Sequence, residues 1–395
     1  MPVSKLLSIT LILSCALLGG YASIFLSFHH GFFDALRICT SSVSTSKREC
    51  TLNMPHVAHI PSYTKIPSID SRLAILFEFF AQGLMSQGSD NGLDVQAILA
   101  MSYLAAQFGG AWYLLVLEGL RKGNAGTVLS HTGKFGIVFQ VATITVVGPI
   151  FLVIHLLSYQ NHYQNNITVE LLDLELLPIS FGLAYIVPTI GLVLPLLNYL
   201  TPTGDYLAIS LWQPFPLYQS ALQYIFRHIA GRRKMRNKRP DRGEARLYEE
   251  TLGRTYRFIL SITIGSHIIV LGAIAMSHLT SIFPKISAMD LLSPDSLASP
   301  ATLALLNPPV SATAARSIVI SFLRWDVYCC CAALIIWATY LLYSTQKSGT
   351  PLGVITRVLF WTFIGGPVTP AIMLLWQRDI EVMDAVDYCG FTKRE

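Results

Sequence analysis

Val95-Gln-Ala-Ile-Leu-Ala-Met-Ser-Tyr-Leu-Ala-Ala-Gln-Phe-Gly-Gly-Ala-Trp112-Tyr-Leu-Leu-Val-Leu117 runs without a charge and stops at Glu118. A hydrocarbon core of about 30 Å takes about 20 apolar helical residues to cross, so this stretch reads as a transmembrane helix. A carboxylate at the end of such a run is costly unless it has a partner or a task.

Similar runs recur along the chain, at about 5–28, 70–88, 93–117, 135–157, 177–199, 206–226, 258–280, 318–343 and 352–376. Lipid offers no partner to an unpaired peptide group, so each run is expected to be helical. Composition agrees, with 52% apolar and 13% charged residues, against about 45–50% and about 25% in soluble domains. The chain reads as an all-α, polytopic transmembrane helical bundle of about 8–9 spans, a single domain over residues 1–395. The first run has Lys5 as a charged flank and small residues at Gly20-Tyr-Ala22, as a signal sequence would. Its apolar length exceeds the usual h-region of about 7–15, so a retained anchor is expected.

The second run carries Arg72 and Glu78 and reads either as a span or as an interfacial helix. That choice sets the topology, because removing one span reverses every later loop. Nine Lys or Arg lie between Arg227 and Arg246, within a loop expected over 227–257. The positive-inside rule puts this basic loop in the cytosol. With nine spans, 29–69 and 281–317 then become lumenal and the Asn166-Ile167-Thr168 sequon goes unused. No aromatic interleaving or folded module accompanies the basic run, so nucleic acid is not an expected partner. Cys39 and Cys50 flank a polar loop and can pair if it is lumenal, whereas Cys329, Cys330 and Cys331 read as small core residues.

Three constellations are chemically suggestive. Glu118 precedes Arg121, Lys122 and Asn124, which suits either an i, i+3 ion pair at a helix end or an acid kept protonated by withdrawal from water. In Asp205-Tyr-Leu-Ala-Ile-Ser-Leu-Trp212-Gln213-Pro214-Phe215-Pro216-Leu-Tyr218, the prolines free backbone carbonyls that need protein or water partners, which predicts a polar cavity near Gln213. Trp212, Phe215 and Tyr218 are spaced i, i+3, i+6, roughly one face, and suit a pocket that steadies a cation by ring faces. The third set is Asp379, Glu381, Asp384 and Asp387. It suits a solvated amphipathic tail or, less simply, magnesium held through a substrate diphosphate. Asp326 reads as a partner of Arg324 or of an interfacial base. His155, His267 and His278 are scattered, and no metal site is assigned.

The segments Trp112-Tyr-Leu-Leu-Val-Leu-Glu118-Gly-Leu-Arg-Lys-Gly-Asn124 and Trp212-Gln-Pro-Phe-Pro-Leu-Tyr218, with the span pattern, resemble integral-membrane proteins of fungal terpenoid gene clusters. These are the membrane terpene cyclases of the ascofuranone and macrophorin type and the similar multi-span proteins of paxilline-like indole-diterpene clusters. The resemblance implies metal-independent, acid-initiated cyclisation of a prenylated, in some cases epoxidised, apolar precursor. It implies no cofactor, a bilayer of the endoplasmic reticulum as surroundings, and other pathway enzymes as companions. Under it, Glu118 is the expected proton donor, and Glu78 or Asp205 the second acid or terminating base. Trp212, Gln213, Phe215 and Tyr218 are expected to hold substrate. The alternative is a transporter or accessory membrane protein of the same pathway.

Overall fold

The computed structural model describes residues 4–29, 31–41, 65–84, 94–158, 167–197, 199–234, 244–280, 286–292, 312–345 and 350–391. Among them the chain is helical, with one isolated bridge between Arg121 and Val169 and no strand. Five helices are long and apolar enough to cross a membrane, namely Lys5–His29 (α1), Val95–Gly119, Leu171–Leu197, Arg246–Leu279 and Ala315–Thr345. In chain order the rest of the bundle is Phe32–Ser41 (α2), Pro67–Leu84 (α3) and Val95–Gly119 (α4), then Thr132–Ala142 (α5) and Ile144–Ser158 (α6). Leu171–Leu197 (α7) contains a π-turn over Gly182–Ile186 beside Pro188 and a 3-10 turn over Leu194–Leu197 beside Pro195. Next come Pro202–Trp212 (α8), Phe215–Lys234 (α9), Glu244–Leu279 (α10) and Ala288–Leu292 (α11). The chain finishes with Ala312–Thr345 (α12), Pro351–Gly365 (α13) and Thr369–Phe391 (α14).

Polar contacts fix which helix ends lie together. Asp94 caps α4, accepting from Ala97 N–H at 2.9 Å, and pairs with Arg316 at 2.7 Å. Arg316 also donates to the Gly83 carbonyl at 3.3 Å, so α3 ends where α4 and α12 begin. At the other end, Lys122 N–H donates to Thr168 O at 2.9 Å, Val169 N–H to Tyr248 Oη at 3.0 Å, and Thr255 Oγ1 to Leu174 O at 3.2 Å. Gln223 and Arg227 on α9 both reach the Asp173 carboxylate of α7. The ends of α4 and α9 and the starts of α7 and α10 therefore share the Glu118 end of the bundle.

Two segments read as single spans, 135–157 and 352–376, are folded back on themselves. The Phe135 and Phe151 rings meet at 5.1 Å, and the turn between α5 and α6 is Thr143, with φ +65°. Likewise Arg357 on α13 hydrogen-bonds Gln377 on α14, and the turn is Gly366, with φ +86°. Both arms of each hairpin return toward the Glu118 end. Such a break leaves peptide groups that lipid cannot satisfy, and a neighbouring helix supplies the partners. Gln107 of α4 donates to Thr263 O at 3.3 Å and Gly365 O at 3.2 Å, and accepts from Val368 N–H at 3.3 Å. Hydropathy along a sequence is blind to direction, so each hairpin has the apolar length of one crossing.

Nine alternating crossings would put residues 121 and 169 on opposite sides, whereas the bridge joins them. Pro67–Leu84 lies outside the five span-length apolar helices. The expected loop 227–257 is helical in its described parts, 227–234 and 244–257. Cys39 is disulfide-bonded, while Cys50 and Asn166 lie outside the described residues. The Cys329–Cys331 triplet is buried among apolar neighbours, as expected.

Candidate active site

A cavity of about 470 Å³ opens between α3, α4, the α5–α6 hairpin, α7, α8 and α12. Its wall is aromatic. The Trp212 ring lies 5.4 Å from Phe80, 6.1 Å from Phe108 and 6.4 Å from Tyr185, and Phe322 lies 4.9 Å from Phe79. Trp212 and Tyr185 spend their polar atoms on protein partners, Nε1 donating to Thr189 Oγ1 at 3.0 Å and Oη to Ala105 O at 2.6 Å. Those bonds satisfy the polar tips of both rings within the protein.

Among the described residues, one carboxyl group stands on this wall, that of Asp326 from α12. Asp326 is 6% exposed, and its Oδ1 accepts from Thr145 N–H at 2.8 Å. That N–H belongs to the first turn of α6, where helix donors lack intrahelical acceptors. The hairpin turn at Thr143 thus aims a backbone donor at the acid. The expected partnership with Arg324 is not formed, because residues two apart on a helix point to different sides. The signal for Asp326 was present in the sequence: it lies inside a predicted span, where an acid is most costly.

Glu118 does not line the cavity. Its Oε2 is 2.7 Å from Arg121 Nε and 3.5 Å from Arg378, and its Oε1 is 2.9 Å from His155 Nε2. Trp337 Nε1–H donates to His155 Nδ1 at 3.0 Å, which leaves the imidazole proton on Nε2, toward Glu118. Arg121 and Arg378 also bind Asp379, at 2.9 and 2.8 Å, and Tyr256 Oη donates to Asp379 at 2.7 Å. Two carboxylates and two guanidinium groups balance in this closed network, which ties α4, α6, α10, α12 and α14 together at one end. Asp379 is therefore buried and paired, not part of a solvated tail, while Glu381 accepts from Gln377 at 2.8 Å. The side chains of Asp384 and Asp387 lie outside the described residues. No cluster of three or more metal-ligating His, Cys, Asp or Glu occurs among the described residues.

The other expected residues scatter. Glu78 is buried behind the wall, accepting from Gln82 at 2.6 Å and from Tyr206 Oη at 2.6 Å. Asp205 lies in the first turn of α8, off the cavity, with a buried Oδ1 that has no hydrogen-bond partner among the described residues. Gln213 is buried off the cavity, and its carbonyl, at the break between α8 and α9, accepts from Gln140 at 3.0 Å. Phe215 packs behind Trp212 at 5.1 Å, and Tyr218 is on the outer surface. Six residues turn a helix by about 600°, so Tyr218 faces about 120° away from Trp212. Trp212 is thus the expected binding residue that reaches the cavity.

The fold and site define a class: an all-helical membrane protein enclosing an acid-bearing aromatic cavity. The CtvD-domain model matches residues 8–383, and the chain belongs to that family. Among its relatives, terpene cyclase ascI of Acremonium egyptiacum is 24% identical over 80% of this chain and 79% of its own length. Terpene cyclase atmA of Aspergillus flavus is 25% identical over 89% and 91%, and terpene cyclase penA of Penicillium crustosum 24% over 90% and 91%. The resemblance read from the Trp112–Asn124 and Trp212–Tyr218 segments is borne out by these matches. No solved structure matches the chain.

Proposed function

We propose that this protein is a membrane-bound terpene cyclase of fungal terpenoid, meroterpenoid or indole-diterpene biosynthesis, and that Asp326 is the acid that starts its reaction. The observation that carries this reading is the single carboxyl, among the described residues, on a largely apolar, aromatic wall. The names of its relatives support it. Asp326 transfers its proton to a terminal alkene carbon or to an epoxide oxygen of a prenylated precursor. The cation left behind is attacked by the next double bond, and each ring closure moves the charge along the chain. Ring faces of Trp212, Phe80 and Phe108 stabilise that charge, at about 0.5–2 kcal/mol per contact. Loss of a proton to the Asp326 carboxylate ends the cascade and restores the acid, so the reaction is an isomerisation. Thr145 N–H holds the carboxylate in place while it is charged.

The distribution of charges supports an orientation. The basic residues Arg227, Arg246 and Arg254 sit at the Glu118 end, which the positive-inside rule assigns to the cytosol. The opposite end then faces the lumen of the endoplasmic reticulum, where the disulfide at Cys39 is chemically at home.

The test is conversion in microsomes. Membranes carrying the wild-type chain are expected to turn an epoxyprenyl or prenylated aromatic precursor into a cyclic isomer of the same mass, and Asp326→Asn membranes are not. Absence of conversion of any such precursor, together with metabolite retention on deletion, would favour the transporter alternative.

A further inference from the structure

Two ionisable side chains of opposite sign line the cavity, Asp326 and Arg72, and no ion pair joins them. Arg72 is exposed at the rim, in the second turn of α3, and has no hydrogen-bonded or ion-paired partner among the described residues. It shares one face of α3 with Leu76 and Phe79, at spacing i, i+4, i+7, and all three line the cavity. Arg72 is therefore about 10 Å along the helix from Phe79, which packs on Phe322 one turn before Asp326. Asp326 is buried whereas Arg72 is exposed, and the two opposite charges are not paired with each other. Held apart across one cavity, they define a ligand with two unlike ends.

We propose that Arg72 anchors the head of the substrate, a carboxylate, while the prenyl tail lies along the aromatic wall toward Asp326. A guanidinium at a cavity rim suits such a group, because its planar fork matches a carboxylate bidentately and stays charged at any physiological pH. The inference rests on the cyclase reading for the role of Asp326, though not for the role of Arg72. The substrate class is thereby narrowed to a prenylated organic acid.

Binding tests it without turnover. The full chain is placed in phosphatidylcholine nanodiscs, and quenching of tryptophan fluorescence is titrated with a farnesylated hydroxybenzoic acid and with its methyl ester. A charge-assisted contact predicts that the wild type prefers the acid by about 10- to 100-fold. In Arg72→Gln the preference disappears while ester affinity is unchanged, which also certifies an intact cavity, and Arg72→Lys keeps part of it. Equal affinity for acid and ester in the wild type overturns the proposal, as does a preference that survives in Arg72→Gln. An arginine that serves an anionic lipid headgroup instead would give no acid preference, and thermal stability would rise with phosphatidylserine in the wild type only. Acid-selective binding without cyclisation removes the cyclase reading and leaves Arg72 in place. Cyclisation indifferent to head charge does the reverse.

Discussion

Asp326 Oδ1 accepts a 2.8 Å hydrogen bond from the backbone N–H of Thr145, so the acid on the cavity wall is held by the tip of the α5–α6 hairpin. Because that donor is backbone, it survives any substitution at Thr145 except proline. Asparagine at position 326 keeps an oxygen to accept the bond and loses only the transferable proton. Asp326→Asn is therefore expected to lower cyclisation by about 10²–10⁴-fold at unchanged abundance. Product yield per unit of immunodetected protein checks this, and near-normal yield would remove Asp326 from the mechanism.

Glu118 behaves differently. Replacing it by glutamine leaves Arg378 and Arg121 buried with one carboxylate between them. Breaking a buried ion pair in this way costs about 3–5 kcal/mol. The expected result of Glu118→Gln is loss of folded protein, read as abundance and as thermal aggregation temperature, rather than a folded but inactive chain. Normal abundance with abolished conversion would return the catalytic role to Glu118.

The aromatic wall gives a graded prediction. Trp212→Phe keeps a ring face but loses the bond to Thr189, whereas Trp212→Leu removes the face entirely. A cation–π term of about 0.5–2 kcal/mol corresponds to roughly 2- to 30-fold in rate. Turnover is expected to fall in the order wild type, phenylalanine, leucine. Equal rates for the phenylalanine and leucine variants would show that the ring face carries no charge.

The second hairpin is tested at Gly366. Its φ of +86° is unfavourable for a residue with a Cβ, and that atom would lie 2.8 Å from both Gln107 Nε2 and Tyr103 Oη. Gly366→Ala is expected to destabilise the protein by about 1–3 kcal/mol through backbone strain. Thermal melting in detergent checks this, with Gly265→Ala, which meets nothing within 4 Å, as the control.

Glycosylation mapping tests the topology. Asn166 precedes Ile167 and Thr168, whose backbone oxygens bind Arg121 and Lys122 at the Glu118 end. With that end cytosolic, Asn166 stays unglycosylated, and a sequon engineered between residues 293 and 311 becomes glycosylated. An endoglycosidase-sensitive mass shift at Asn166 would invert the orientation.

Much of this was legible in the sequence because the bilayer imposes a local rule. Apolar runs of span length must be helical, so the all-α membrane class followed from Val95–Leu117 and its repeats. The Pro214 break was legible too, but not what lies beside it: the polar cavity expected near Gln213 is absent among the described residues, and the Gln213 carbonyl is instead met by Gln140. The Trp112–Asn124 and Trp212–Tyr218 segments pointed to the family that the CtvD-domain match shows.

The positions of the charges were decided only in three dimensions. Glu118 and Asp326 are both acids set in apolar runs, and sequence cost arguments treat them alike. Arg121, His155 and Arg378, which engage the first, come from three separate parts of the chain, and the cavity around the second is built from α3, α4, α7, α8, α12 and the α5–α6 hairpin. The direction of each apolar run was equally hidden, since a helix that crosses and a hairpin that turns back at Thr143 or Gly366 bury the same composition. Hydrophobicity is a property of residues taken singly, whereas partnership, direction and enclosure belong to the packed bundle.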